Sequence, residues 1–102
     1  PNVILENQAE LDLSKQQFTE IRRAVVDVQA NVAEHEWDVA EAYQNIMAEL
    51  DRSPIDEEQV LEHVAAALRA ENEVKKLQVT MLIRLRNLLT DEQIEYLESL
   101  RE

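Results

Sequence analysis

The sequence contains no glycine, no cysteine and only two prolines, Pro1 and Pro54, among its 102 residues. Tight hairpin turns and phosphate-cradling loops need backbone conformations that glycine supplies, so a β-rich fold and a nucleotide-binding loop are both disfavoured. The abundant alanine, leucine, glutamate and glutamine favour helices. We therefore predict an all-α protein.

Positive charge is also scarce, since ten basic residues face 22 acidic ones and give a net charge of −12. Such a charge repels nucleic acid and anionic membranes, so neither is expected as a partner. No apolar run approaches the ~20 residues that span a bilayer. The lack of cysteine excludes disulfides and thiolate sites. Because the chain begins at Pro1 rather than methionine, we expect a mature or trimmed piece from which a leader or anchor could have been lost.

Three capping boxes mark helix starts. In each, a Ser, Thr or Asp side chain accepts a backbone N–H of the first turn while a glutamine three residues on reaches back. An apolar residue before the cap, such as Leu13 or Leu89, packs against one in the following turn. The caps and their glutamines are Ser14 with Gln17, Asp56 with Gln59, and Thr90 with Gln93.

Two apolar seams at heptad spacing, over residues 18–46 and 60–88, predict a long antiparallel helical hairpin interrupted at Pro54. A short connection of this kind would place residues whose numbers sum to about 107 opposite one another, so that His35 meets Glu71. We predict one helical domain over 1–102 with an arm at 1–12, long helices at 14–51 and 57–88, and a short helix at 91–101.

A second apolar stripe on the first long helix predicts that this helix buries two sides. The hairpin bend is acidic, whereas its open end carries four arginines, and this polarity predicts a head-to-tail homodimer with Trp37 partly buried between the chains. The arginines are Arg22, Arg23, Arg84 and Arg86. The stripe consists of Val26, Ala30, Ala33, Trp37, Ala40 and Met47.

The order of these features resembles that of the LTxxQ-motif proteins of the Spy/CpxP family and their heavy-metal-sensor relatives. The resemblance covers nearly the whole chain, and it depends on the ordered set of features rather than on one box. These features are the Leu-Ser/Thr-x-x-Gln boxes at 13–17 and 89–93, Trp37, the helix restart at 56–61, and the stretches 71–76 and 82–90.

The resemblance implies a periplasmic, cradle-like antiparallel homodimer that acts without ATP as a chaperone for unfolded proteins. The alternative that it implies is a periplasmic sensor or regulatory domain for heavy metals or envelope stress. Spy-type chaperones present a basic concave surface, so the acidity of this chain predicts different client electrostatics. CnrX-type sensors carry a His pair ahead of the first box, and residues 1–12 contain no His.

Four large side chains, Trp37, Tyr43, Met47 and Met81, suit a surface that binds clients, because Met and amphipathic aromatics accept varied apolar partners. Burial of these side chains in the core or a dimer interface is the reading that we favour. The arginine group either docks an acidic partner or pairs with Glu95 and Glu98 of the last helix.

His35 and His63 are the only imidazoles and hence the weak candidates for metal ligands. The expected register separates them by roughly 13 Å along the helix axis, so they cannot share an ion within one chain. Glu34 and Asp38 near His35, or Glu62 beside His63, do not complete a closed His/Cys set, so no metal or other cofactor is expected. No catalytic constellation has a supporting pocket, and we predict a non-enzyme.

Overall fold

The computed structural model of the chain describes residues 2–100 and confirms an all-α helical hairpin. Its two long helices pack together, and no strand occurs within the described residues. Pro1 and Arg101, which the predicted arm and last helix included, lie outside them. The helices in chain order are α1 (Asn2–Glu6), α2 (Lys15–Leu50), α3 (Glu57–Leu88) and α4 (Asp91–Ser99).

The helix starts lie directly after the capping residues. Ser14 precedes α2 and Asp56 precedes α3, while Thr90, in extended backbone with φ −78° and ψ 162°, precedes α4. The connection between α2 and α3 contains a cis Ser53–Pro54 peptide bond. Proline disfavours helical backbone at the residue before it, so this connection ends α2 close to the predicted position.

The chain divides into two compact units, and both long helices contribute to each. Unit 1 contains residues 1–28 and 79–102, and unit 2 contains residues 29–78. Unit 1 is built around large aliphatic side chains from the arm, α2 and α3, among which Ile21 and Val28 are almost completely buried. The buried apolar residues of unit 1 are Ile4, Leu11, Ile21, Val25, Val28, Met81 and Leu85.

The arm packs on unit 1 through Ile4 and Leu11, both of which are buried. After α1 it continues as a series of turns, in which Leu11 N–H donates to the Asn7 carbonyl at 2.9 Å. Asp12 then adopts the left-handed conformation with φ 53°, directly before the first capping box. Asp tolerates this region better than most residues that carry a Cβ, so it serves where glycine is absent.

Unit 2 has a different interior. Its two helical segments, 29–50 of α2 and 57–78 of α3, are joined by residues 51–56, and the apolar residues that are fully buried are alanines. Larger seam residues such as Val39, Ile46 and Val74 are half-buried beside them. The buried alanines are Ala42, Ala67 and Ala70.

The pairing of α2 with α3 is shifted from the predicted register. Tyr43 pairs with Glu71, so their residue numbers sum to 114 rather than to about 107. His35 lies eight residues before Tyr43, about 12 Å along α2, so the predicted contact of His35 with Glu71 is wrong. The sum of about 107 assumed that the start of α3 lies opposite the end of α2. With Tyr43 opposite Glu71, the first turn of α3 instead extends past the last residue of α2.

The second apolar stripe of α2 also differs from its prediction. All six of its residues are exposed in the chain, including Trp37, which is 72% exposed. α2 therefore buries one side within this chain rather than two. Trp37 lies opposite the seam because five residues separate it from Val32 and Ala42 in either direction, and five residues turn a helix by about 140°.

Candidate functional site

Unit 2 leaves several large apolar side chains exposed to solvent. Met47 is 63% exposed, Leu61 is 57% exposed and Leu68 is 53% exposed, and Tyr43 and Leu50 are about half exposed. Single exposed apolar residues are normal on a protein surface, but a set on neighbouring helices marks an interaction site. The important question is therefore whether these side chains share one side of unit 2.

Heptad spacing shows which side of α2 these residues occupy, because residues seven apart lie two turns apart on the same side of a helix. Glu36 and Ala40 line a groove between α2 and α3. Tyr43 lies seven residues after Glu36, and Met47 lies seven residues after Ala40. Both side chains are therefore on the groove side of α2.

The same spacing holds on α3. Lys75 lines the groove, and Leu68 and Leu61 precede it by seven and fourteen residues, so they lie on its side of the helix. We refer to the set formed by these residues and their α2 neighbours as the apolar face. It consists of Tyr43, Met47, Leu61 and Leu68, together with Leu50, which lies seven residues after Tyr43 on the same side of α2.

The groove beside the apolar face has a volume of about 360 Å³ and is open to solvent. Its floor is formed by half-buried Val39 and Val74, and its borders carry charged side chains of both signs. Clefts that bind small ligands are commonly deeper and more enclosed. This groove suits a side chain of a bound polypeptide. Its lining residues are Glu36, Val39, Ala40, Glu71, Val74, Lys75 and Gln78.

Tyr43 and Glu71 link the two helices at this face. The Tyr43 hydroxyl donates to Glu71 Oε1 at 2.7 Å. This hydrogen bond, together with the negative charge of the carboxylate and a smaller effect of burial, raises the pKa of Tyr43 above its ordinary value of 10.0. The phenol therefore remains protonated and bridges α2 to α3 at neutral pH.

The opposite side of unit 2 is polar. His35, Glu41 and Arg69 line a second groove there, and His35 Nδ1 lies 4.0 Å from Asp38 Oδ2 on the same helix. Unit 2 thus has one apolar and one charged side, a division that the sequence analysis did not predict. Heptad positions counted from Glu36 and from Lys75 would have predicted it, because the exposed apolar residues fall into register with them.

The second imidazole, His63, lies with its Nε2 4.0 Å from Glu49 Oε1. Tyr43 does not lie across from His63, because Tyr43 pairs with Glu71 two turns further along α3. Within residues 2–100, no three His, Cys, Asp or Glu side chains come together as a possible metal site. No described helix combines the length and apolarity needed to cross a bilayer.

Two of the four arginines in the predicted arginine group have carboxylate partners. Arg84 Nη1 lies 3.1 Å from Asp27 Oδ2, and Arg86 Nη2 lies 3.7 Å from Glu98 Oε1. Arg22 and Arg23 are exposed on α2. The contact with Glu98 is the one that the sequence predicts for a solvated pair with the last helix.

The two Leu-Ser/Thr-x-x-Gln boxes meet in unit 1. In the first box, the Ser14 N–H donates to Gln17 Oε1 and the Gln17 N–H donates to Ser14 Oγ, each at 3.0 Å. In the second, Thr90 and Gln93 make the same pair of bonds at 2.8 and 3.2 Å. Leu13 and Leu89 are half-buried beside them. The third box is half formed, with Gln59 N–H donating to Asp56 Oδ1 at 3.2 Å.

The glutamine amides of the first two boxes also bond to each other, and we call this pair the glutamine clasp (Gln17 and Gln93). Gln17 Nε2 donates to Gln93 Oε1 at 2.9 Å, and Gln93 Nε2 lies 3.3 Å from Gln17 Oε1. The remaining donors reach the Leu88 carbonyl at the end of α3 and the Leu11 carbonyl in the arm, each at 3.0 Å. The clasp therefore joins four segments of unit 1.

The four large side chains that the sequence suggests for a client-binding surface have mixed environments. Met81 is buried in unit 1, as the core reading predicts, whereas the exposed Trp37, Tyr43 and Met47 do not belong to the core of this chain.

In comparisons with known proteins, no family model, no curated protein and no solved structure matches the chain.

Proposed function

We propose that this chain is a non-enzymatic protein that binds unfolded or partner proteins through the apolar face, in the manner of a chaperone that works without ATP. The distribution of apolar side chains in unit 2 carries this proposal. Alanines fill its fully buried apolar positions, while Met47, Leu61 and Leu68 are more than half exposed. A fold that needed these larger side chains for its own stability would bury them.

The chemistry of the face suits varied partners. Met47 has an unbranched, polarizable side chain that adapts to irregular surfaces, and the leucines add apolar area without directional bonds. Tyr43 combines an apolar ring with a polar tip that is already bonded to Glu71. Such a surface favours binding of many apolar sequences over recognition of one small ligand.

The proposal includes membership of the Spy/CpxP family and a periplasmic location. Its support is the sequence resemblance together with the arrangement of the hairpin, in which both glutamine-closed boxes lie in unit 1. The runner-up is a periplasmic sensor or regulatory domain, which would use the same hairpin to contact a regulatory protein. The two differ in whether unrelated unfolded proteins bind.

A homodimer belongs to the same proposal. The outer stripe of α2 in unit 2 exposes Trp37 with the small residues Ala30 and Ala33 beside it on the same side of the helix. Such a stripe allows close approach of a second helix, and a twofold arrangement would bury Trp37 against its own copy. The part of the stripe around Trp37 lies away from α3, whereas Ala40 and Met47 lie on the groove side. A dimer formed through the Trp37 side leaves the groove side of unit 2 open.

Suppression of aggregation tests the proposal. Because the chain contains no cysteine, dithiothreitol can unfold a disulfide-bonded model client without changing the chain itself. We expect the wild-type chain at about equimolar ratio to suppress the light scattering of the reduced client. The double variant Leu61→Gln/Leu68→Gln is expected to lose most of this effect, because it replaces two apolar contacts with groups that prefer water.

The matched control is Leu82→Gln/Ile83→Gln, which makes the same kind of change at two exposed positions of α3 in unit 1. It is expected to act like the wild type. Equal loss of suppression in both double variants would indicate that any exposed apolar residues bind the client. That result would contradict a specific site in unit 2. Absence of suppression by the wild-type chain would contradict the chaperone proposal itself.

A further inference from the structure

We infer that the apolar face selects cationic amphipathic segments of its partners, those in which Lys and Arg side chains flank an apolar stripe. This inference rests on the proposed function and names its class of partner. Exposed apolar area alone does not distinguish one unfolded segment from another. The charges around the face do distinguish such segments, because they are predominantly negative.

Unit 2 is the more acidic of the two units. Residues 29–78 contain twelve acidic and four basic side chains, a net charge of −8, whereas unit 1 contains ten acidic and six basic ones, a net charge of −4. A field of this size raises the local concentration of cationic ligands and speeds their association. It also disfavours the approach of acidic segments.

Acidic side chains lie at the apolar face itself. Glu36 and Glu71 line its groove, where Lys75 is the basic member of the lining. Glu57 lies one turn before Leu61 and therefore on the same side of α3. Glu71 is hydrogen-bonded to Tyr43 of the face itself, so its charge lies within the ~8 Å Debye length of a ligand that contacts Tyr43 at physiological salt.

A cationic amphipathic segment matches both the apolar surface of the face and the negative charge around it. Its apolar stripe would contact Met47, Leu61 and Leu68, and its Lys and Arg stems would extend over the apolar surface toward Glu36 and Glu57, because long basic side chains place their charge at the edge of apolar contacts. An acidic segment of equal apolarity would bring its carboxylates against those same acids.

The same charges argue against a second copy of this chain as the occupant. Two apolar faces brought together would place two units of net charge −8 against each other. Like charges opposed across an interface cost free energy and suppress that partner. The face is therefore suited to a partner of opposite charge.

Binding of two matched peptides tests the inference. The probes are a fluorescein-labelled amphipathic peptide of Leu, Ala and Lys, about 18 residues or five helical turns long, and its twin with every Lys replaced by Glu. Fluorescence anisotropy with the full chain is expected to show at least about tenfold tighter binding of the Lys peptide at low salt. Raising NaCl to 0.5 M should reduce this preference several-fold, because salt screens exposed charges.

Two charge reversals locate the effect. Glu36→Lys alters the groove, whereas Glu95→Lys makes the same change of net charge at an exposed position on α4 in unit 1. We expect Glu36→Lys to weaken binding of the Lys peptide by about five- to tenfold, and Glu95→Lys by less than about twofold. Equal weakening by both would show that net charge, and not the charge at the face, selects the peptide, which overturns the inference.

The remaining outcomes separate this inference from the proposed function. Equal binding of both peptides, with suppression of client aggregation intact, overturns the charge selection and leaves the chaperone proposal standing. Failure of both peptides and of the unfolded client to bind contradicts both. Binding that requires dilution of a dimer, with Leu68→Gln breaking that dimer, would assign the face to a second copy and overturn the inference.

Discussion

Gln17 and Gln93, 76 positions apart in the chain, hydrogen-bond to each other through their side-chain amides while each also closes the capping box of its own helix. A capping box needs only the side-chain oxygen of its glutamine. The free amide nitrogen therefore remains available for a second acceptor, and in unit 1 it reaches the Leu88 carbonyl from Gln17 and the Leu11 carbonyl from Gln93. The glutamine clasp converts two local motifs into a tertiary contact.

The first prediction concerns the stability that the clasp supplies. Gln93 is buried, with 8% of its surface exposed, and Gln93→Ala leaves the Leu11 carbonyl and the Thr90 N–H without their side-chain partners. We expect this variant to lower the free energy of unfolding by about 3 kcal/mol. Gln59→Ala, at the half-formed third box, is expected to cost about 0.5 kcal/mol or less. Urea denaturation measures both.

A double-mutant cycle separates the clasp from the two individual boxes. If Gln17 and Gln93 act only as helix caps, the effects of Gln17→Ala and Gln93→Ala on the free energy of unfolding will add. Because their amides bond to each other, we expect a coupling of about 1 kcal/mol. An additive double variant would mean that the clasp contributes nothing beyond the caps.

The second prediction concerns the ionisation of Tyr43. Glu71→Gln removes the negative charge near the phenol but keeps an acceptor, so the pKa of Tyr43 should fall toward 10.0. Glu71→Ala also removes the hydrogen bond, which is the larger cause of the shift, and should lower the pKa further. Absorbance at 295 nm in a Tyr96→Phe background follows Tyr43 as the one remaining tyrosine.

The same shift fixes the sign of a pH effect on stability. Since the pKa of Tyr43 is higher in the folded chain than in the unfolded one, the Tyr43–Glu71 contact contributes its full stability below pH 10 and loses it as the pH rises through the folded value. The wild type should therefore lose more stability than Tyr43→Phe as the pH rises above 10. Parallel decreases in the two proteins would contradict this assignment.

A third prediction concerns the backbone at Asp12, where φ is 53°. Glycine adopts this conformation without steric cost, so Asp12→Gly should leave stability within about 0.5 kcal/mol of the wild type. A β-branched residue fits it poorly, and Asp12→Val should lower the free energy of unfolding by about 1–2 kcal/mol. Thermal or urea unfolding distinguishes the two, and equal stability of both variants would argue against the left-handed turn.

The fourth prediction concerns self-association through the outer stripe of α2. Trp37 is the sole tryptophan and is 72% exposed in the chain, so burial against a second copy should shift its emission to shorter wavelength as concentration increases. Light scattering should report a dimer for the wild type and a monomer for Trp37→Ala. Tyr43→Ala, an equally drastic truncation on the groove side of α2, serves as the control and should remain dimeric.

The helices could be predicted from the sequence because capping and heptad spacing are local. The register could not, because it depends on how the connection 51–56 leaves α2, and Tyr43 consequently meets Glu71 where His35 was expected. The clasp was missed because each box was interpreted as complete in itself. The sequence places two glutamines at the open end of the predicted hairpin, and each has an amide nitrogen that its capping box does not use. This feature could have predicted the clasp.

The apolar face was only partly predictable. The sequence identified Trp37, Tyr43 and Met47 as large apolar residues suited to clients, but it favoured their burial. Periodicity shows which residues share a side of a helix, whereas it does not show which side a partner covers. In unit 2 the interior closes around alanine, so the larger residues stay outside. That outcome depends on the distance between two helices, which no single helix encodes.

Methyl NMR of the two methionines tests the central claim, binding at the apolar face, most directly. Met47 lies in that face and is exposed, whereas Met81 is buried in unit 1, so the chain carries a probe and its own reference. On addition of a reduced, unfolded client to the chain labelled with ¹³C at the methionine methyls, we predict that the Met47 signal shifts or broadens while the Met81 signal stays in place. A shift of Met81 with Met47 unchanged would contradict the account.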